Sequence, residues 1–302
     1  MYNATTINIE SWFVLLDILA IICIIFVIIL SIIYLFIIIL DKTCHTIPLM
    51  LIGNTCFIAF LAGCSILSMC IFTLKNDLKQ IHYQDSLCIF RAYTAYVSCA
   101  LFNFSFLLQA IYRYITVIYP SYLLWQSAKI QILFICLIWI FSFIYPFEFV
   151  FTNEITYNID NQICQLPFQF SLSIIYVTHC AYIIPVLMIM LIYFKLVRYV
   201  REMGKRVTPV NTLFRAQREL KMVQRTVIII TILVILCFPY ALFIGISFFT
   251  APPKYHFRIA YIFADVSILS VMVALFQFTD SLKDSIMKRI NRTSNIIVIP
   301  RT

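Results

Sequence analysis

The chain has 302 residues, of which 63% are hydrophobic and only 12% charged. Soluble domains use roughly 45–50% apolar residues, so a water-soluble globule is excluded and a membrane is the solvent that suits this sequence. The formal charge of +9 comes with no nucleic-acid motif and reads as topology and contact with membrane lipid.

Seven apolar stretches of about 20 residues or more follow one another at 13–40, 47–73, 87–117, 129–152, 171–197, 222–250 and 259–279. They are too long and too rarely alternating for barrel strands. In lipid a backbone must pair with itself, which leaves an all-α membrane protein, a seven-transmembrane helix bundle. Nearly every residue lies in a span or a short connection, so one domain is expected, with no soluble catalytic module. Basic residues set the orientation. Between 195 and 225 nine Lys/Arg face only Glu202 and Glu219, whereas 148–170 carries only Glu148, Glu154 and Asp160. By the positive-inside rule the fifth-to-sixth loop is cytoplasmic. Residues 1–12 are then an extracellular N-terminus, 280–302 a cytoplasmic tail, and the expected location is the plasma membrane. Asn3-Ala4-Thr5 is a glycosylation sequon on the outer tail, with Asn3 the candidate site. The first apolar run is long and lacks a basic leader, so no cleavable signal peptide is expected.

The first span carries Asp17 near its outer end. An acid in a membrane helix is costly unless it reaches water, a partner or the headgroups; Asp17 is thus either interfacial or functional. The third stretch, Cys88 to Pro120, organises the chain. Cys88 and Arg113 are separated by 25 helical steps, about 37 Å at ~1.5 Å per residue against a hydrocarbon core of ~30 Å, which puts them at opposite membrane faces. Tyr112-Arg113-Tyr114 is followed by Val117 and Pro120 at the spacing Arg-Tyr-x-x-Val-x-x-Pro. This stretch resembles the third helix of the rhodopsin-like (class A) G-protein-coupled receptors, which starts at a disulfide cysteine and ends in Asp-Arg-Tyr. Tyr112 stands where that family usually has an acid.

The resemblance implies a role for several further residues. Cys88 and Cys164, the two cysteines expected outside, would form a disulfide; two free thiols are the alternative. On the second span Leu61-Ala62 resembles the family's Leu-Ala before a buried aspartate, yet Cys64 or Ser65 stands there, so the sodium site of many relatives is expected to be absent. The fourth span has the family's tryptophan as Trp139. Pro185 and Tyr193 on the fifth resemble the pair in which a proline perturbs the helix and a tyrosine swings toward the arginine; a tolerated proline and an interfacial tyrosine are the plain alternative. The sixth span reaches Leu236-Cys237-Phe238-Pro239-Tyr240, similar to Cys-Trp-x-Pro-Tyr with Cys237 at the tryptophan, and Pro239 should kink it. Glu219 falls where the family often places the acid that pairs with Arg113, unless it is simply solvated among Arg218, Lys221 and Arg225. On the seventh span Val271 to Leu275 replaces Asn-Pro-x-x-Tyr, and a short amphipathic eighth helix should begin near Leu282 and Lys283. Asp265 and Tyr261 share a face one turn apart. In this alignment they join Tyr96 and Tyr240 in an outer cavity suited to a cationic ligand. Pairing of Asp265 with Arg91 is the other reading.

Taken together, the resemblance implies a receptor that binds an extracellular ligand and activates a heterotrimeric G protein. Ala95 occupies the amine-binding aspartate position and Asp265 that of the retinal lysine, so a peptide is the preferred ligand. No cofactor or metal site is expected. A transporter or channel with Asp17 and Asp265 as relay sites is the alternative, as is a non-signalling decoy receptor of the same fold. A membrane enzyme finds no support, since His-Glu-x-x-His and Gly-x-Ser-x-Gly are both missing.

Overall fold

The computed structural model describes residues 12–41, 45–81, 83–168, 171–205, 210–250 and 253–279. Its helices are α1 (Trp12–Leu40), α2 (Ile47–Lys79), α3 (Cys88–Ile118), α4 (Ala128–Ile144), the short α5 (Glu148–Phe151), α6 (Leu172–Thr178), α7 (Ile184–Lys205), α8 (Val210–Leu236), α9 (Phe238–Ser247) and α10 (His256–Phe278). A π-helical turn, His179–Ile183, joins α6 to α7 into one span. Five further helical segments cross singly, and α8 with α9 makes the seventh span, bent by 45°. The chain is therefore the seven-helix bundle that its apolar stretches lead one to expect. The expected eighth helix, Asn3 and the side chain of Glu219 lie outside the described residues.

Several helices end differently from the apolar runs. Helix α2 continues to Lys79, six residues past the apolar stretch, because its polar last turns pack under the outer loop and Asn76 and Asp77 are buried there. Helix α4 stops at Ile144 ahead of Pro146, whose ring nitrogen has no N–H to continue the ladder, although Tyr145 between them keeps helical angles of φ −60° and ψ −37°. Helix α8 starts at Val210, and the part long and apolar enough to cross a membrane begins at Leu220.

The core is layered along the bundle. In the middle, Val27, Cys56, Phe106, Ile189, Ile230 and Met272 meet from α1, α2, α3, α7, α8 and α10. Many leucines and isoleucines of α1 are exposed, for example Leu15, Ile22 and Ile29. That face suits acyl chains. Several polar side chains in the middle are paired: Trp139 donates to Oδ1 of Asn54 at 3.0 Å, Asn54 reaches Ser105 at 3.4 Å, and Gln109 donates to Thr55 at 2.9 Å. These bonds tie α2, α3 and α4 together. Cys64 is exposed, and the half-buried Ser65 meets Thr94 of α3 at 2.6 Å.

Pro185 and Pro239 each break a helical ladder within a span. Pro239 opens α9, with Cys237 as the residue between the two arms of the bend. Pro185 has no N–H to offer the carbonyl four residues earlier, that of Ala181. Asn103 on α3 supplies the missing donor, Nδ2 to the Ala181 oxygen at 2.9 Å. Freed carbonyls in a membrane must find such a partner. Asn103→Leu is accordingly expected to lower stability by ~1–3 kcal/mol, the usual cost of a buried unpaired polar group. Thermal unfolding of the purified protein measures it, and an unchanged midpoint would contradict the assignment.

Candidate functional site: the outer mouth and the inner cavity

At the outer end the chain between α5 and α6 folds back as a hairpin, β1 (Thr156–Asn158) against β2 (Ile163–Gln165), with Tyr157 opposite Cys164. Cys164 is bonded to Cys88 at the start of α3, their Cα atoms 5.5 Å apart. The bond pins β2 across the mouth and delivers the next residue, Gln165, into the bundle. Tyr96 donates its hydroxyl to Oε1 of Gln165 and accepts the Leu166 N–H at 3.1 Å; Nε2 of Gln165 donates to the hydroxyl of Tyr261. Phe168 packs edge-on to Tyr240 with centroids 5.1 Å apart. The three tyrosines singled out from the sequence thus belong to one outer cluster, with a glutamine amide strung between two of them.

Asp265 lies one turn further along α10 from Tyr261. It is only 1% exposed, and neither carboxylate oxygen has a hydrogen-bond partner among the described residues. Arg91, the alternative partner, bonds to Asp85 instead and stands 4.5 Å from the ring centre of Phe72. Two residues beyond Asp265, Ser267 accepts from the Cys237 thiol across 3.4 Å. Asp265 is thereby linked through a short stretch of α10 to the bend between α8 and α9.

A second acidic cluster lies between the hairpin tip and the outer ends of α1, α2 and α10. Arg258 holds Asp77 with two N–H groups, one at 2.9 Å, and Asp17 stands 3.8 Å away. Asp77 also accepts from Nε2 of Gln162 at 2.6 Å, and Asn161 accepts the Arg258 backbone N–H at 3.2 Å. Gln162 takes a left-handed φ of 56°. An ordinary side chain costs about 1–2 kcal/mol there, a cost offset by its bond to a fully buried carboxylate. Asp17 is therefore part of an ion cluster that staples the hairpin to three helices.

At the inner end Arg113 is half-buried, its guanidinium 5.8 Å from the Tyr112 ring centre. The Tyr112 side chain is buried against Leu51 and Leu108, with Met50 and Phe134 alongside. A phenol fits that groove between α2, α3 and α4. Tyr193 and Tyr114 pack with Val117, Leu196, Val200 and Val223 between α3, α7 and α8. Arg113 opens onto a cavity of about 730 Å³ that also receives Lys221 and Arg225. Arg225 donates to the carbonyl of Phe278 at 2.5 Å, where a helix end leaves carbonyls unpaired.

Gln165, Asp77 and Arg258 escaped the sequence reading. Gln165 was within reach of it, because a residue adjoining a disulfide cysteine is pinned wherever that cysteine is. Asp77 and Arg258 fell just outside the apolar runs and looked like ordinary interfacial charges.

The chain matches the family model described as 7 transmembrane receptor (rhodopsin family) over residues 31–276. Among solved structures it superposes on that titled "Crystal structure of squid rhodopsin" with a TM-score of 0.78 and 16% identity, covering 99% of this chain and 94% of that one. At that identity the likeness is one of fold. No curated protein matches the sequence.

The two buried acids lead to opposite expectations. Asp77→Ala leaves the buried Arg258 with only the more distant Asp17 as counter-charge and should destabilise by up to ~3–5 kcal/mol. Asp265→Asn removes an uncompensated carboxylate and should stabilise by ~1–3 kcal/mol. Unfolding temperatures of the purified variants provide the check; a fall for Asp265→Asn would mean that Asp265 has a partner.

Proposed function

The chain belongs to the rhodopsin family of seven-transmembrane receptors and is a receptor, not an enzyme; from that membership we propose that it binds a positively charged extracellular ligand at Asp265 and signals through a heterotrimeric G protein. The observation that carries this reading is the Asp265 carboxylate, buried with neither oxygen paired among the described residues. Such a group costs several kcal/mol in apolar surroundings, and a ligand cation would offset that cost. Tyr96, Tyr240 and Tyr261 offer faces for cation–π contact beside it. An amino group or basic side chain of a peptide has the required charge. The reading places residues 1–12 outside the plasma membrane, with Asn3 as the glycosylation site, and the basic fifth-to-sixth loop in the cytoplasm.

Signal transmission follows from the packing around Asp265. A ligand shifts the receptor only by its different affinity for two states. Ser267, two residues from Asp265, contacts Cys237 at the bend, so a displacement of α10 is felt where α8 and α9 meet. Swinging α8 outward widens the inner cavity beside Arg113 for the G protein. Tyr193 and Tyr114 already line the α3–α7–α8 packing that would have to slide. Glu219, on α8, is the proposed latch on Arg113.

The test is G-protein dissociation in cells expressing the native chain, Glu219→Ala or Arg113→Ala at equal surface levels. Raised basal signalling is expected in the first variant and loss in the second. Equal behaviour of all three would sink the proposal and favour a non-signalling receptor of the same fold.

A further inference from the structure

The chain itself fills the space between the outer tyrosines. Gln165 is 2% exposed, and its side-chain amide lies between α3 and α10, Oε1 accepting from the Tyr96 hydroxyl and Nε2 donating to the Tyr261 hydroxyl. The Tyr96 oxygen also accepts the Leu166 N–H at 3.1 Å, which leaves its own hydrogen for an acceptor. One turn further along α10, Asp265 is buried with neither oxygen paired among the described residues.

The hairpin keeps its other fastenings without the Gln165 side chain. Cys164 is bonded to Cys88, Gln162 donates to Asp77, and Asn161 accepts the Arg258 N–H and donates to the Lys254 carbonyl at 3.2 Å. Leu166 holds Tyr96 through its own backbone. Rotation of Gln165 to another side-chain rotamer therefore vacates the tyrosine pair and leaves β2 in place. Two hydrogen bonds are given up, and a ligand that offers the same two restores them.

The pattern of donors and acceptors narrows the replacement. It must accept from Tyr96 and donate to Tyr261 from two neighbouring atoms, as a carboxamide does. An ester has no N–H for Tyr261, and a guanidinium has no acceptor for Tyr96. A carboxylate also lacks the donor and brings a second negative charge toward Asp265. Sites built to hydrogen-bond a polar group reject analogues that lack it, because their own groups are left unpaired. We propose that Tyr96 and Tyr261 form an amide-recognition site, in which a primary carboxamide on the ligand replaces the Gln165 amide while the ligand's cation reaches Asp265. Gln165 is the resident competitor and keeps out cations that carry no amide. The cationic half of this ligand rests on the reading of Asp265 given under Proposed function; the amide half rests on the tyrosine pair alone.

The experiment uses the full chain purified into phosphatidylcholine nanodiscs, in native form, as Gln165→Ala, and as Gln165→Ala combined with Tyr261→Phe or Asp265→Asn. The probe is 6-aminohexanamide; methyl 6-aminohexanoate keeps its cation and carbonyl and lacks the N–H. Affinity is read from the saturable rise in unfolding temperature with probe concentration. Gln165→Ala is expected to bind the amide at least about tenfold more tightly than the ester, or ~1.4 kcal/mol, and more tightly than the native chain does. Adding Tyr261→Phe removes the preference. If Gln165→Ala does not keep the native unfolding temperature without probe, the preference for amide over ester is read in the native chain at higher probe concentration. No saturable amide binding, or equal binding of amide and ester, overturns the proposal. An amide preference that persists while Asp265→Asn leaves both affinities unchanged supports the amide site and contradicts the cation reading instead.

Discussion

Hydrocarbon offers no hydrogen bonds, so every polar group inside this bundle must find its partner in the protein, and that requirement explains most of the architecture. Asn103 meets the Ala181 carbonyl exposed by Pro185. Asn54 joins Trp139 to Ser105. Ser31, Thr73 and Thr116 each bond to a carbonyl one turn back on their own helix. Asp77, with no side-chain exposure, is met by Arg258 and Gln162. Asp265 departs from this pattern, as the buried carboxylate among the described residues with neither oxygen paired. Local violations of otherwise consistent packing are expected at functional sites, and this one lies beneath the outer mouth.

The two ends of the molecule are built differently. Outside, a disulfide, an ion cluster and a glutamine bridge fix the hairpin to α1, α2, α3 and α10, so the mouth is a rigid frame. Inside, cations converge on open space. Between them a 45° bend at Cys237 and Pro239 joins α8 to α9, the place about which α8 would swing in the proposed signalling. A rigid outer frame with a hinged inner arm is the mechanical requirement for carrying occupancy from one membrane face to the other.

The sequence made the bundle legible because its strongest signals, apolar length and charge asymmetry, are the ones that lipid imposes. Cys88, Arg113, Pro185 and Pro239 were readable because each has a chemical consequence that survives divergence: a bond, a charge at an interface, a missing donor. Features that depend on which helix faces which were not readable. Asp265 and Arg91 looked like possible partners until α3 directed Arg91 toward Asp85. Asn103 stands in an apolar run that says nothing of its partner, although its amide completes a broken ladder on another helix. Tyr112 looked like a defect in the switch, and the structure gives it an apolar groove of its own between α2, α3 and α4. The hairpin went unread because strands of three residues leave no periodic trace.

The account depends on α8 moving away from α3 at the inner face. Pulsed spin-label distance measurements report this motion directly, using genetically encoded labels at exposed Tyr122, just beyond α3, and exposed Phe214 on α8, in purified receptor with and without nucleotide-free heterotrimeric G protein. The account predicts a shift of the distance distribution to longer values when the G protein is added, and loss of that shift in Arg113→Ala. A distribution that does not change with G protein present would contradict it.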